Sequence, residues 1–380
     1  MLSKLRNVSV AAALLFAGLA IAAPAPVSNS SLEARHGKQN LLTPKVMIIS
    51  MFAPERAVWI KPMKLVHNVS VVGLSPLYPY VACNNEYDVC IMTTGEAEIN
   101  AAASMMALAL SPLFCLQHTY FLIAGIGGVN PYAGTLGSAA FARFAVQVAL
   151  EYELDARQIP SNWTTGYWMQ NTAGPGQLSA TKDLYGTELF EVNTNLLAKA
   201  YSAAKGVTLN DSTTAQAYRQ KFDYAPANQP PQVILGDVAT SDVYYAGTLL
   251  SESFGNYTAL LTNGTGKYTT TAQEDNATLE SMVRATKAGL LDYARVIILR
   301  TCSDFDRAPP GKVTAYDAFF ANQGGFELAL QNLYIAGKPV VDMILKDWST
   351  FKNGVQPQSK GNGSYYGDDL GTLRSGPALA

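Results

Sequence analysis

Histidine and cysteine are scarce in this 380-residue chain, with three of the former, four of the latter and no cluster of either. A Cys/His zinc site therefore finds too few ligands, and a scaffold stapled by disulfides is ruled out; the core has to hold the fold. Charge is also sparse: 27 basic and 29 acidic residues make up 15% of the chain and leave a net charge of −2. The basic excess that nucleic-acid binding by counterion release requires is missing. There is no phosphate loop ending in Lys-Ser/Thr, and Gly125-x-Gly127-Gly128 lacks the spacing of a dinucleotide fingerprint. Repeats of 20–50 residues and internal linkers are absent. Beyond the first 23 residues no apolar run is long enough to cross a bilayer: Tyr120–Val129 is too short and Ala139–Leu150 contains Arg143. What is present is 48% apolar and 10% aromatic residues, enough to favour a collapsed globular core.

The N-terminus indicates the compartment. Lys4 and Arg6 precede an apolar run from Val8 to Ala23 that ends in Ala20-Ile21-Ala22, with Pro24 and Pro26 just behind. A basic start, a short apolar stretch and a small-residue end read as a cleaved secretory signal over residues 1–22. Residues 23–39, rich in Ser, Pro and polar side chains, read as a flexible N-terminus, and 40–380 as the α/β domain. Asn-x-Ser/Thr acceptors begin at Asn68, Asn162, Asn210, Asn256, Asn263 and Asn362. Together with the signal they point to a secreted, extracellular glycoprotein; association with the cell wall stays open. Cys83 and Cys90 flank the turn-like Asn84–Asp88 between two apolar runs and would close a hairpin as a disulfide, whereas Cys115 and Cys302 read as buried thiols.

Short apolar runs recur at Val46–Met51, Cys90–Thr94, Phe121–Ala124, Val233–Leu235 and Val296–Leu299, each followed by glycine or polar residues. Helical patterns follow at Pro54-Glu55, Glu98–Leu110, Asn193–Lys205, Asp275–Leu290 and Gly325–Phe351. This alternation predicts a single-domain α/β fold, a mixed β-sheet flanked by helices. In such folds ligands sit beyond the carboxyl ends of the strands, so the residues just past Met51, Thr94, Ala124, Leu235 and Leu299 are the informative ones. They include Glu55, Gly95, Gly127, Gly128, Arg300, Ser303 and Asp304. Taken singly, each glycine reads first as a strand-end turn and each carboxylate first as a helix cap or surface charge. Arg300 with Asp304 reads equally as a structural ion pair.

The segments Lys45–Phe52, Ala124–Pro131 and Glu274–Leu279 resemble the purine nucleoside permease family of fungi and bacteria, and the resemblance runs from Lys45 to the end. Beneath it lies a more distant similarity to the nucleoside phosphorylase and methylthioadenosine nucleosidase superfamily, which implies a nucleoside phosphorylase-like fold. That similarity places Glu55 where nucleosidases carry a water-activating glutamate after the first strand. Thr94-Gly95-Glu96-Ala97 partly matches a Ser-Gly-Ile-Gly turn, and Ala124–Gly128 looks like a Gly-rich substrate loop. Thr240–Tyr244 resembles the segment whose aromatic ring, here Tyr244, stacks on the purine. Gln273-Glu274 corresponds to the Met-Glu pair whose glutamate holds the ribose hydroxyls. Arg300-Thr301-Cys302-Ser303-Asp304 keeps the Arg-x-x-Ser-Asp motif, whose aspartate donates a proton to the base. Departures stand at Gln273, at Ser241 in place of glycine, and at Ile123, where bacterial-type phosphorylases carry a phosphate-holding arginine.

For a chain whose signal already points outside the cell, the resemblance implies a protein that binds a purine nucleoside (adenosine, guanosine or inosine) and cleaves its N-glycosidic bond. Water is the preferred nucleophile over phosphate, since a phosphate dianion without a guanidinium partner is poorly compensated. No metal or organic cofactor is called for. A component of nucleoside uptake, as the family name suggests, and a non-catalytic nucleoside-binding module are the alternatives. A homo-oligomer is left open.

Overall fold

The computed structural model describes residues 41–180 and 183–358; the expected signal, the flexible N-terminus and the acceptor at Asn362 lie outside the described residues. The first apolar run forms β1 (Val46–Ser50), every residue of which is buried. A strand covered on both faces has no solvent side to keep polar, so it reads as a continuous run and not as an alternation. Pro54 then sits in the first turn of α1 (Ala53–Ile60), where its missing N–H costs nothing. β2 (His67–Ser70), β3 (Tyr80–Cys83) and β4 (Val89–Thr93) follow, with Cys83 directly opposite Cys90 in the β3–β4 hairpin and disulfide-bonded to it.

Next come α2 (Glu98–Leu110), β5 (Tyr120–Val129), β6 (Ala139–Ala142), β7 (Phe144–Gln147), β8 (Tyr152–Glu153), β9 (Tyr167–Trp168) and β10 (Leu189–Glu191). The chain continues through α3 (Thr194–Ala204), α4 (Thr213–Arg219), β11 (Val233–Leu235), β12 (Asp237–Thr240), α5 (Thr248–Leu261) and β13 (Tyr268–Ala272). It ends with α6 (Asp275–Lys287), β14 (Val296–Phe305), α7 (Ala315–Phe319), α8 (Phe326–Lys346) and α9 (Trp348–Phe351). The main sheet runs β10-β7-β12-β13-β5-β1-β4-β3-β2, with β14 pairing both β5 and β6 and β11 added beside β6. The pairs β1–β4, β1–β5, β5–β14 and β12–β13 are parallel, while β2–β3, β6–β14 and β7–β10 are antiparallel. It is a mixed sheet flanked by helices, as expected. The largest apolar cluster joins β1, β4, β5 and β14 to one face of α8, where Trp59 of α1 packs edge-on against Tyr334 at 5.4 Å.

Several boundaries differ from the sequence expectation, and the differences shape the site. Gly125, Gly127 and Gly128 do not follow β5 as a loop; they lie inside it, because β14 pairs with β5 along its whole length to Val129. Likewise Arg300–Asp304 form the second half of β14 instead of a loop beyond it. Gly236-Asp237 opens no loop either: Asp237 starts β12, its buried carboxylate accepting N–H bonds from Arg143, Phe144 and Lys267 at 3.0, 2.8 and 2.6 Å. The rim position therefore falls after Thr240, not after Leu235. The helix expected over Gly325–Phe351 is broken at Asp347, whose φ of −114° and ψ of 43° are not helical. That expected to reach Leu290 stops at Lys287, ahead of Gly289 at φ +72°. α4, short and Thr-rich, and α5 are not among the predicted helices, although α5 carries a buried stripe of Phe254, Tyr257 and Leu261. Cys302 is buried, but Cys115 is only partly so.

Candidate active site

A cavity of about 460 Å³ opens where β1, β5, β12, β13 and β14 end or bend. Glu55, Glu274 and Asp304 all line it, although they are far apart in the chain. Glu55 projects from the first turn of α1 and is buried. Its Oε2 accepts the Met51 N–H and its Oε1 the Ile126 N–H, both at 2.7 Å. Each carboxylate oxygen has two lone pairs, so these bonds fix the side chain and leave acceptor capacity toward the cavity. Burial raises the Glu55 pKa to about 8, with Glu274 adding to it while Arg300 and the two backbone N–H groups pull the other way.

Glu274 precedes α6. Its Oε1 accepts from Ala97 N–H at 3.1 Å and its Oε2 from Arg300 Nη2 at 3.2 Å. Burial again raises its pKa, opposed chiefly by Arg300. Ala97 has φ +73° and ψ 166°, a region that residues with a Cβ seldom enter, and the bond to Glu274 is one of the contacts that hold it there.

Arg300 is fully buried. Nε donates to Asp275 Oδ2 at 3.2 Å, Nη2 to Asp275 Oδ1 and Glu274, and Nη1 to the Ile126 carbonyl at 3.0 Å. The Arg300–Asp304 ion pair entertained from the sequence is not formed; the guanidinium belongs to Asp275 and Glu274. Burial works against its charge, and Asp275, Glu274 and Glu55 outweigh that, so it stays protonated.

Asp304 reaches the cavity through a register shift in β14. Cys302 pairs with Gly127 and Asp304 with Gly128, leaving Ser303 as the extra residue of a bulge. A bulge re-aims the side chains that follow it. Ser303 Oγ lies 2.6 Å from Asp304 Oδ1 and 3.0 Å from the Gly127 carbonyl. Burial lifts the Asp304 pKa to about 6, the Ser303 hydrogen bond lowers it, and the nearby Asp306 raises it.

Gly127 and Gly128 form one wall, and Gly128 N–H donates to Thr271 Oγ1 at 2.7 Å. A Cβ on Gly127 would come within 2.0 Å of the Thr271 carbonyl, so this strand position must be glycine for the backbones to approach. Tyr244 stands at the rim, 62% exposed, its ring edge-on to Phe319 at 5.4 Å; partial desolvation and the charge of Asp304 push its pKa up to about 12. Gly95 is not part of the wall. Its φ of +86° makes the turn that brings Glu96 to it instead. Sequence reasoning also missed Phe52, Phe319 and Phe326, which line the cavity from just ahead of α1, from α7 and from α8. Lone phenylalanines at helix ends carry no signal that separates a cavity wall from core.

Among the described residues no group of three or more His, Cys, Asp or Glu side chains is placed to hold a metal ion. Nor is any helix of the described residues long and apolar enough to cross a membrane.

Fold and site together define an α/β protein with an acid-lined cleft at one end of a mixed sheet. The chain belongs to the purine nucleoside permease family, whose profile matches residues 43–356. A purine nucleoside permease of Candida albicans is 44% identical over 356 residues, covering 92% of this chain and 86% of that protein. A protein of Schizosaccharomyces pombe named “Probable purine nucleoside permease” is 43% identical over 323 residues, covering 82% and 92%. Among solved structures, 5′-methylthioadenosine/S-adenosylhomocysteine nucleosidase from Neisseria meningitidis, in complex with methylthio-immucillin-A, aligns at TM-score 0.48 and 13% identity, covering 80% of this chain and 100% of that one. Futalosine hydrolase of Helicobacter pylori aligns at TM-score 0.47 and 12% identity, covering 79% and 98%. Both likenesses concern the chain path alone.

Proposed function

We propose that this protein binds purine nucleosides in the cleft and hydrolyses their N-glycosidic bond. The observation that carries the reading is the convergence of Glu55, Glu274 and Asp304 on one cavity whose lining arginine, Arg300, is already paired with Glu274 and Asp275. Breaking the bond builds positive charge on the ribose and negative charge on the departing base. Asp304, with its raised pKa, would supply a proton to the base; Glu55 would take one from water; Glu274 would orient the ribose hydroxyls; Tyr244 would stack on the purine. With no uncommitted cation lining the cavity among the described residues, a phosphate dianion would lack compensation, which favours water over phosphate.

The protein incubated with adenosine, inosine and guanosine in phosphate-free buffer should release free base and ribose. An absolute need for phosphate would replace hydrolysis by phosphorolysis, and saturable binding without turnover would leave a binding module.

The name of the relatives favours a second reading, a part in nucleoside uptake. The two are compatible if the protein captures nucleosides outside the cell or converts them to bases that a separate transporter accepts. The secreted glycoprotein reading is supported by the signal-like N-terminus and by the acceptors Asn68, Asn162, Asn210, Asn256 and Asn263, all of which are exposed. Peptide mapping of the protein from culture medium, before and after glycosidase treatment, tests it.

A further inference from the structure

A second cavity, of about 590 Å³, lies apart from the cleft between α5 and the segment around β8 and β9. Its walls are amphipathic: Tyr167, Trp168 and Met169 on one side, Tyr257 and Leu260 of α5 on the other. Such volume and lining suit a small organic ligand. Two polar atoms there have no protein partner, Glu151 Oε2 and the Tyr257 hydroxyl, both buried. The charged residues in the lining are Glu151 and Glu252, with no Lys, Arg or His among them. Glu252 is mostly exposed and already faces Arg307 at 3.7 Å, so Glu151 is the acid left uncompensated.

We propose that this cavity is a binding site for a primary organic ammonium ion, its charged head received by Glu151 and the Tyr257 hydroxyl and its apolar body by the aromatic wall. A carboxylate withdrawn from water is costly unless a cation joins it, and an ammonium supplies both the charge and the N–H donors that these two oxygens lack. Burial alone lifts the Glu151 pKa to about 8, with no nearby cation holding it down, so at neutral pH the group is mostly protonated. An ammonium ion would bind by displacing that proton and pairing with the carboxylate, which a neutral or anionic ligand cannot do.

The probe is hexylamine at neutral pH, titrated calorimetrically into the full protein and followed in parallel by tryptophan fluorescence, with hexanol and hexanoate as isosteres of other charge. The expected result is saturable binding of the amine, at least about tenfold tighter than hexanol, with hexanoate not binding. Glu151→Gln should lower the amine affinity by about tenfold or more, and inosine at saturation should leave it unchanged. Hexanol binding as tightly as the amine, unchanged affinity in Glu151→Gln, or no saturation up to about 10 mM overturns the proposal. The comparison of the three isosteres needs only the unaltered protein, so it decides the matter even if the variant does not fold.

Discussion

Glu55 and Arg300 hold opposite ends of one residue: Ile126 donates its N–H to Glu55 Oε1 at 2.7 Å and accepts from Arg300 Nη1 at its carbonyl at 3.0 Å. Arg300 in turn grips Glu274, whose other oxygen receives the N–H of the strained Ala97. The buried guanidinium thus holds the proposed sugar-binding carboxylate directly and reaches the proposed water-activating one only through Ile126. Asp304 stands four residues further along the same strand as Arg300, set by its own bulge.

The proton donor is the most direct test. Asp304→Asn keeps the shape and the Ser303 contact but cannot protonate a base. We expect turnover to fall by about 10²–10⁴ with KM changed only a few-fold, since the loss belongs to the transition state. Steady-state kinetics on purine nucleosides, with circular dichroism as a fold check, measures it. Full activity in this variant removes Asp304 from the chemistry.

The pH profile follows from two raised carboxyl groups. Asp304 has to be protonated and is so below about 6; Glu55 has to be ionised and is so above about 8. At pH 7 about a tenth of each is in the required form, so about one molecule in a hundred carries both. Below 6 the ionised fraction of Glu55 falls tenfold per pH step, and above 8 the protonated fraction of Asp304 does the same. kcat/KM should therefore show a plateau between about 6 and 8 with falling limbs on either side, reporting macroscopic values of the coupled set. A rate still climbing at pH 9, or flat from 5 to 9, contradicts the assignment.

Part of this site was legible from strand runs, with Glu55 four residues past Met51 and Asp304 five past Leu299, whereas Glu274 follows the Thr-rich β13 and was given its role by the family resemblance, as was Asp304 in its Arg-x-x-Ser-Asp motif. The sheet and the Cys83–Cys90 hairpin were legible for the same reason, since buried strands are short apolar runs whatever they pair with. Where the strands end was not. Gly125–Gly128 and Arg300–Asp304 look like loops by composition, yet each stretch lends the other its backbone partners, and pairing over long sequence separations overrides local preference. The same blindness left an Arg300–Asp304 ion pair open. Residues four apart in an extended strand stand about 13 Å apart, too far for an ion pair, and the partners lie just past β13 at residues 274 and 275.

Removing the guanidinium should cost stability as much as activity. Arg300→Met leaves Glu274 and Asp275 buried without their cation, and unfolding in urea should show a loss of about 3–5 kcal/mol. Arg300→Lys restores charge but not the fork that reaches Asp275, Glu274 and Ile126 together, so it should recover only part of that loss. If Arg300→Met is as stable as the parent protein, the buried cluster is not held as described.

The last prediction concerns the closest backbone approach in the cavity wall. Gly127 lies within β5 where the Thr271 carbonyl would be 2.0 Å from an added Cβ, and neither atom belongs to a flexible side chain. Gly127→Ala must push β13 away from β5, and the displacement passes to Glu274, two residues beyond the end of β13 at Ala272. The Ser303 contact to the Gly127 carbonyl carries it to Asp304 as well. Overpacking of this kind costs about 1–3 kcal/mol, so the thermal midpoint should drop measurably and KM should rise with kcat lowered too. The same substitution at Gly206, where an added Cβ meets nothing within 4 Å and the backbone is not left-handed, tests surroundings without that crowding and should leave KM and kcat alone. Equal effects at the two positions would mean that the Thr271 approach does not govern the shape of the cleft.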